Sequence, residues 1–500
     1  MKIVILGGGV GGVMTALRLA EKIPTIDIVI LEKKSDLLSA TSDCTPGRMG
    51  LGFHYVDLET ASHYLEQTIK FVREFKDRCS GLMVGENFES DHPLRNGRYF
   101  ITKDTLFSKE KILEVYEKLK ERYRCLVNED PENKVFGDPE HFYQILQEEE
   151  YKNQVNMEKV DIGIETREHL LNWPIFKKFL LGQLEKHSNI KIITDSPVEK
   201  VERLYRTGGY LISSKEAYQA DFLINATWEH VAYFNSQLDF FPASGEIRTN
   251  RAKAMVTFEL PTVARYFPSM FFCMGPYCMF SNLGERDGKY LGMITYAKET
   301  NRLNDTGLIP SEEYMALVNN NSSLSQENEE YKTKIILGVE RYIPGIVESG
   351  NLRDQQIKSA EIKYGTVQVE GEVDIHDPNS KMHERRHPGF ELLEPGFVSL
   401  ACMKLMYGLE NANLVVNAAE QYIKFIIPFF AKLTDSINSL LAEEKERSKL
   451  LIGVCFFYFK RESLEMDDKF SGNSQVFLDT CGKKFELNKE IKEVKTRFKH

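Results

Sequence analysis

Residues 3–12 read Ile-Val-Ile-Leu-Gly-Gly-Gly-Val-Gly-Gly, an apolar strand running straight into a glycine turn. Such a turn constrains the fold strongly when a helix follows it and an acid closes the next strand. Both conditions hold. Val13 to Lys22 carries Met14, Leu17, Leu19 and Ala20 on one side at helical spacing, Asp27 to Leu31 is a second β-branched run, and Glu32 stands 20 residues after Gly12. The spacing predicts a strand–helix–strand unit in which Gly7 makes the tight turn, Gly9 lets a diphosphate reach the backbone and Gly12 lets the helix pack on the strand. Val10 and Gly11 open the helix whose positive end faces the phosphates. Glu32 is placed to accept hydrogen bonds from a ribose, which favours an adenosine without a 2′-phosphate.

A 500-residue chain is too long for one ordinary core and suggests two or three domains. A net charge of −10 argues against general affinity for nucleic acid. The eight cysteines, at 44, 79, 125, 273, 278, 402, 455 and 481, form no Cys-x-x-Cys pair, the usage of a reducing compartment. The first strand begins at residue 2, leaving no room for a signal peptide, so a cytoplasmic protein is expected. The longest apolar stretches, Ile423 to Leu433 and Leu450 to Phe459, fall short of the ~20 residues that cross a bilayer. Buried packing is the expectation for both, with contact to a lipid surface as the alternative.

Further along, a polar loop from Lys33 to Arg48 precedes Met49-Gly-Leu-Gly-Phe-His-Tyr55 and a helix from about Leu58 to Arg78. A strand at Tyr99 to Thr102 and a charged helix around Lys109 to Arg122 read as an insertion. A helix from Leu170 to Lys186, with Trp173-Pro174 at its start, leads to strands at Ile190 to Thr194, Val198 to Leu204, Tyr210 to Ser213 and Ala220 to Trp228. Residues 246–260, 268–280 and 290–297 alternate like antiparallel strands. Asn301 to Glu330 reads as a mobile surface excursion. A long helix is expected from about Leu409, and the charged stretch from Thr434 reads as an appendage.

In this arrangement the chain resembles the flavoprotein superfamily of D-amino-acid oxidase, which takes in glycine oxidase and the FAD-dependent glycerol-3-phosphate dehydrogenases. The matching pieces are the glycine turn with Glu32, the strand Ala220 to Trp228 and the segment Gly396 to Tyr407. The resemblance covers the first 60 residues or so, 165–230 and 375–430. It implies an α/β fold: a Rossmann-like FAD-binding domain of the glutathione-reductase type from residues 1–80, 161–235 and 375–433. A mainly antiparallel substrate domain (81–160 and 236–374) and a helical extension (434–500) complete it. FAD is the implied cofactor, held by the glycine turn with Lys33, by Ser42, Arg48 and Met49 in the following loop, by Val198, by Ala226, Thr227 and Trp228, and by Lys404, Leu405 and Met406 in the late segment. Three features depart from the family: it commonly has glycine where Trp228 stands, Thr or Ser where Met406 stands, and a Ser-x-x-Asn pattern missing from residues 42–48.

The implied chemistry is oxidation of a CH-OH or CH-NH bond of a small polar, anionic substrate. An arginine is the residue type to seek, because its guanidinium grips carboxylate or phosphate as a fork. Arg248 and Arg251 are candidates, though both read more readily as exposed strand residues; Arg341, after a predicted helix end, is another, and His54 and Tyr55 are placed to polarise a hydroxyl or amine. His383-Glu-Arg-Arg-His387 spells a zinc-protease pattern, but Pro388 and the turn residues Asp377 to Ser380 disfavour the helix this motif requires, so no metal is expected. The stretch Ser380 to His383 instead resembles a family segment near the flavin, which directs His383 or Arg385 at the substrate. The competing reading is a flavin-binding interaction protein with little turnover, engaging a protein partner through 434–500.

Overall fold

A computed structural model of the chain describes residues 1–428 except 90, 205–207, 242–247, 276, 320–324, 372–376, 378–388 and 402–403. His383, Arg385, the zinc-like pattern and the extension 434–500 therefore lie outside the described residues. The chain divides into two compact units, residues 1–203 with 209–423, and residues 204–208 with 424–500.

In the first unit the expected strand–helix–strand opens the fold: Lys2–Leu6, Val10–Lys22 and Asp27–Leu31. The first strand pairs in parallel with Asp27–Leu31 on one side and with Phe222–Asn225 on the other. Ile190–Ile193 and Phe397–Leu400 extend the sheet in parallel, and Phe390–Glu394 closes it as an antiparallel sixth strand. Ile3, Val4, Ile5 and Leu6 are all fully buried, as the unbroken apolar run requires of a strand covered on both faces. On one face the helices Val10–Lys22 and Gly408–Gln421 cross so closely that a Cβ on Gly408 would lie 2.9 Å from the Met14 sulfur. A three-stranded sheet, Lys200–Arg203, Tyr210–Ser213 and Ala217–Ala220, adds its apolar side chains to the other face.

A nine-stranded sheet forms the second layer. Its long central strand Arg248–Glu259 pairs antiparallel with Lys289–Tyr296, Asn301–Asp305 and Glu361–Glu370. Cys278–Arg286, Ser269–Cys273, Gly97–Thr102, Val160–Thr166 and Tyr143–Ile145 follow outward. Within it Ser269–Cys273 and Gly97–Thr102 run parallel, so the sheet is mainly but not wholly antiparallel. Val160–Thr166, which straddles the expected boundary at 161, pairs inside this sheet.

Two expectations change. Residues 268–280 belong to two strands, Ser269–Cys273 and Cys278–Arg286, which pair antiparallel. Asn301 to Glu330 is no surface excursion: strand Asn301–Asp305, helix Glu312–Val318 and helix Ser325–Glu340 occupy its described part. Ser311 caps the middle helix, and Tyr314 and Leu317, one turn apart, are buried. The polar composition hid a short amphipathic element.

In the second unit Lys424–Pro428 continue a wide helical turn that starts at Tyr422. Phe425 and Ile427 are exposed there, against the expectation of buried packing. The turn there is of π type, wider than an α-helix, so apolar spacing read for an α-helix does not mark one buried face. Among the described residues, no helix is long and apolar enough to cross a membrane.

Candidate functional site

Between the glycine turn and the nine-stranded sheet runs a cavity of about 1150 Å³, ample for a dinucleotide together with a small molecule. Its walls gather Gly7, Gly9, Val10, Gly11, Glu32, Lys33, Ser42, Arg48, Val198, Ala226, Thr227, Trp228, Lys404 and Leu405 from segments hundreds of residues apart. Met49, Met406 and Gly12 are buried behind that surface.

The turn is built for close approach. Gly7 adopts φ +99°, and a Cβ there would lie 2.6 Å from the Ala226 carbonyl oxygen. One on Gly12 would meet the Gly7 carbonyl at 2.0 Å, so the helix can seat on the strand only as glycine. Gly9 differs: a Cβ there would meet only the Ser42 hydroxyl, at 3.5 Å, because that face opens onto the cavity. Ser42 also accepts the Val10 amide at 3.0 Å, tying the following loop to the start of the helix. Glu32 is nearly buried and accepts the amides of Gly8 at 2.7 Å and Lys34 at 2.8 Å.

Asn225 explains why the small-residue strand ends as it does. Its fully buried amide donates to the Val231 carbonyl and to Asn235 and accepts from Thr227, folding the chain back sharply. In that turn Trp228 sits at φ +58°, a left-handed conformation suited to glycine. Its indole donates to the Thr366 carbonyl at 3.0 Å, and Gln368 donates to its carbonyl at 3.1 Å. Beside it, burial pushes the Glu229 carboxyl up, but Lys33 at 2.8 Å outweighs this and holds it below the usual range.

On the sheet side, alternation along Arg248–Glu259 places Arg251, Lys253 and Met255 toward the cavity, while Ala252, Ala254, Val256 and Phe258 enter the core behind. Arg251 is only 7% exposed, so its reading as a surface residue fails. Arg248 is absent from the lining and pairs with Glu391. Burial, together with repulsion from Arg251 and Arg48, pushes the Lys253 ammonium down to about 8. Arg48 lies 3.7 Å above the Phe271 ring and is neutralised by Glu168, whose oxygens accept Arg48 Nε at 3.0 Å, the Tyr99 hydroxyl at 2.7 Å and the Leu51 amide at 3.1 Å.

His54 and Tyr55 line the cavity, the former exposed and the latter buried edge-on against Tyr64. Arg341 does not: it is exposed, just past helix Ser325–Glu340, and its carbonyl accepts from Asn156. A helix end near a sheet does not by itself aim a side chain at a cavity, and here Arg341 lies at the surface beside Tyr296. Lys253, Met255 and Glu168 were missed. The first two had a signal, the alternation Arg-Ala-Lys-Ala-Met; Glu168 had none, because its partners come from two distant segments, the loop at 48–51 and the strand carrying Tyr99.

A glycine turn on the first strand of a parallel sheet, opposed across a deep cavity by an antiparallel sheet, defines a two-layer flavoprotein fold. The sequence model of the FAD dependent oxidoreductase family, DAO, matches residues 2–277, more than half of the chain. The chain belongs to that family and is an FAD-dependent oxidoreductase. Among solved structures it is similar to the L-alpha-glycerophosphate oxidase of Mycoplasma pneumoniae with FAD bound (17% identity, TM-score 0.52, covering 85% of this chain and 94% of that one). It is also similar to the glycine oxidase of Geobacillus kaustophilus (12%, 0.53, 84% and 94%) and the L-proline dehydrogenase of P. horikoshii (13%, 0.51, 85% and 93%). At such identities the likeness is one of fold. No curated protein gives a significant match. The residues present fit FAD: an open backbone face at Gly9, a buried acid at Glu32 and a cavity long enough to reach the second sheet.

Proposed function

We propose that the protein oxidises a CH-NH or CH-OH bond of a small anionic substrate. The observation that carries this reading is the placement of Arg251 and Lys253 side by side on the cavity face of one strand. Both are basic groups turned to the same space, and Lys253 feels the positive charge of Arg251 and of Arg48. FAD, when bound, supplies the hydride acceptor. The protein has to hold the donor carbon in place, and a guanidinium next to an ammonium does so by fixing a carboxylate or phosphate at one end of the substrate. The glycine turn with Glu32, Lys33 and Ser42 would hold the nucleotide end of the cofactor, and Arg48, Lys404 and Leu405 the part nearer the sheet. Apolar side chains such as Met255 and Phe271 line the space between, and with FAD in place they would keep water from the reacting carbon.

The test is anaerobic bleaching of the flavin by a panel of amino acids, 2-hydroxy acids and polyol phosphates, beside uncharged amines and alcohols. Anionic compounds are expected to reduce it, and Arg251→Met to raise KM about tenfold or more, the scale of a lost charged hydrogen bond. Reduction by the uncharged compounds alone would overturn the reading.

A further inference from the structure

Past Met255 the cavity changes character. The strand register, which pairs Met279 with Thr295 and with Phe271, and Val256 with Ile294, sets Met255, Thr295, Met279 and Phe271 along one line across the sheet. Leu106 and Phe107, from the loop after strand Gly97–Thr102, and Met274 and Tyr277, from between strands Ser269–Cys273 and Cys278–Arg286, line the same cavity. The polar groups that Thr105, Leu106, Met274 and Tyr277 bring to this wall are bonded within the protein. Leu106 donates its amide to the Met274 carbonyl at 2.9 Å, Thr105 exchanges hydrogen bonds with the Met274 backbone, and the Tyr277 hydroxyl donates to the Asp104 carbonyl. None of these wall residues carries a charge.

Resting on the anionic-substrate reading, we infer that the substrate is an anion with an extended apolar body, its charge at Arg251 and Lys253 and its body along the wall from Met255 to Phe107. A compact, wholly polar anion leaves this wall against water or void. Lys253 and Met255 are two residues apart, about 7 Å along a strand, and two strand spacings from Met255 to Met279 add about 10 Å across the sheet. The space suits a medium aliphatic chain or an aryl group. Methionine side chains adapt to such bodies without fixing one shape.

The experiment is equilibrium binding to the holoprotein, read by perturbation of the flavin absorbance and by calorimetry, with acetate, butyrate, hexanoate and octanoate, and with the primary amines and alcohols of the same lengths. Carboxylate Kd is expected to fall about fourfold per methylene up to hexanoate, the gain for one buried CH₂. Phe107→Ser and Met279→Ser, each checked for flavin content, are expected to flatten that dependence while the affinity for acetate stays unchanged. Carboxylates that bind with no length dependence would overturn this inference and leave the anionic-substrate reading standing. Amines or alcohols that bind as tightly as carboxylates, with the same length dependence, would overturn the anionic reading and keep the wall. Failure of every compound to bind would overturn this inference.

Discussion

At the scale of single residues, Gly9 and Lys253 have the sharpest consequences. A side chain at Gly9 meets only the Ser42 hydroxyl, so Gly9→Asp is expected to fold and to lose bound FAD, because its carboxylate both fills and repels the diphosphate position. Flavin absorbance after purification checks this; a fully yellow Gly9→Asp protein contradicts the assignment. Lys253 titrates near 8 where a free lysine is charged to about 10.4. Its positive charge is present below 8 and lost above, so KM for an anionic substrate is expected to rise as pH passes through 8, and Lys253→Met to abolish that rise. The linkage to stability has the opposite sense: between about 8 and 10.4 the unfolded chain binds more protons here, so this group's contribution to stability improves with rising pH. The glycine turn and Glu32 were legible at this scale because their spacing has one mechanical use. Arg251 was seen but read as a surface residue, since a strand's alternation does not say which face is covered until its neighbours are known.

At the scale of elements, two contacts set local propensity against packing. The turn after Phe222–Asn225 holds Trp228 in a left-handed conformation that costs a non-glycine residue about 1–2 kcal/mol, while its indole ties the turn to strand Glu361–Glu370. Both Trp228→Ala and Trp228→Gly lose the tie, yet only glycine relieves the backbone. Glycine is therefore expected to be the more stable of the two by about 1 kcal/mol in denaturant unfolding. Helix Ser325–Glu340 supplies the second case. Alanine at 338 gains about 1 kcal/mol in helix propensity, but its Cβ would stand 2.1 Å from the buried ring of Tyr296, and overpacking costs about 1–3 kcal/mol. Gly338→Ala is expected to lower the melting temperature, measured by circular dichroism. The long periodic elements, such as the helices at 10–22 and 109–129, were readable because an apolar stripe over several turns has one meaning. The segment 301–318 was not, because a seven-residue helix shows one turn of pattern within a polar background.

At the scale of the whole molecule, the class of fold could be read from its first 32 residues, whereas the partners of those residues could not. The family match ends at 277, but the parallel sheet draws strands from 390–400 and the cavity draws a wall from 361–370. A chain cut after residue 277 is expected to be poorly soluble and free of flavin, as gel filtration and absorbance would report. A soluble yellow fragment would show that the later strands are dispensable. Pairing between segments so far apart makes closure of the sheet slow relative to the growth of local helices. On a ribosome, the strand at 222–225 must wait for some 175 further residues before its outer neighbour at 397–400 exists. During that interval it presents an open hydrogen-bonding edge, and the nascent chain has reason to meet a chaperone before it meets its nucleotide.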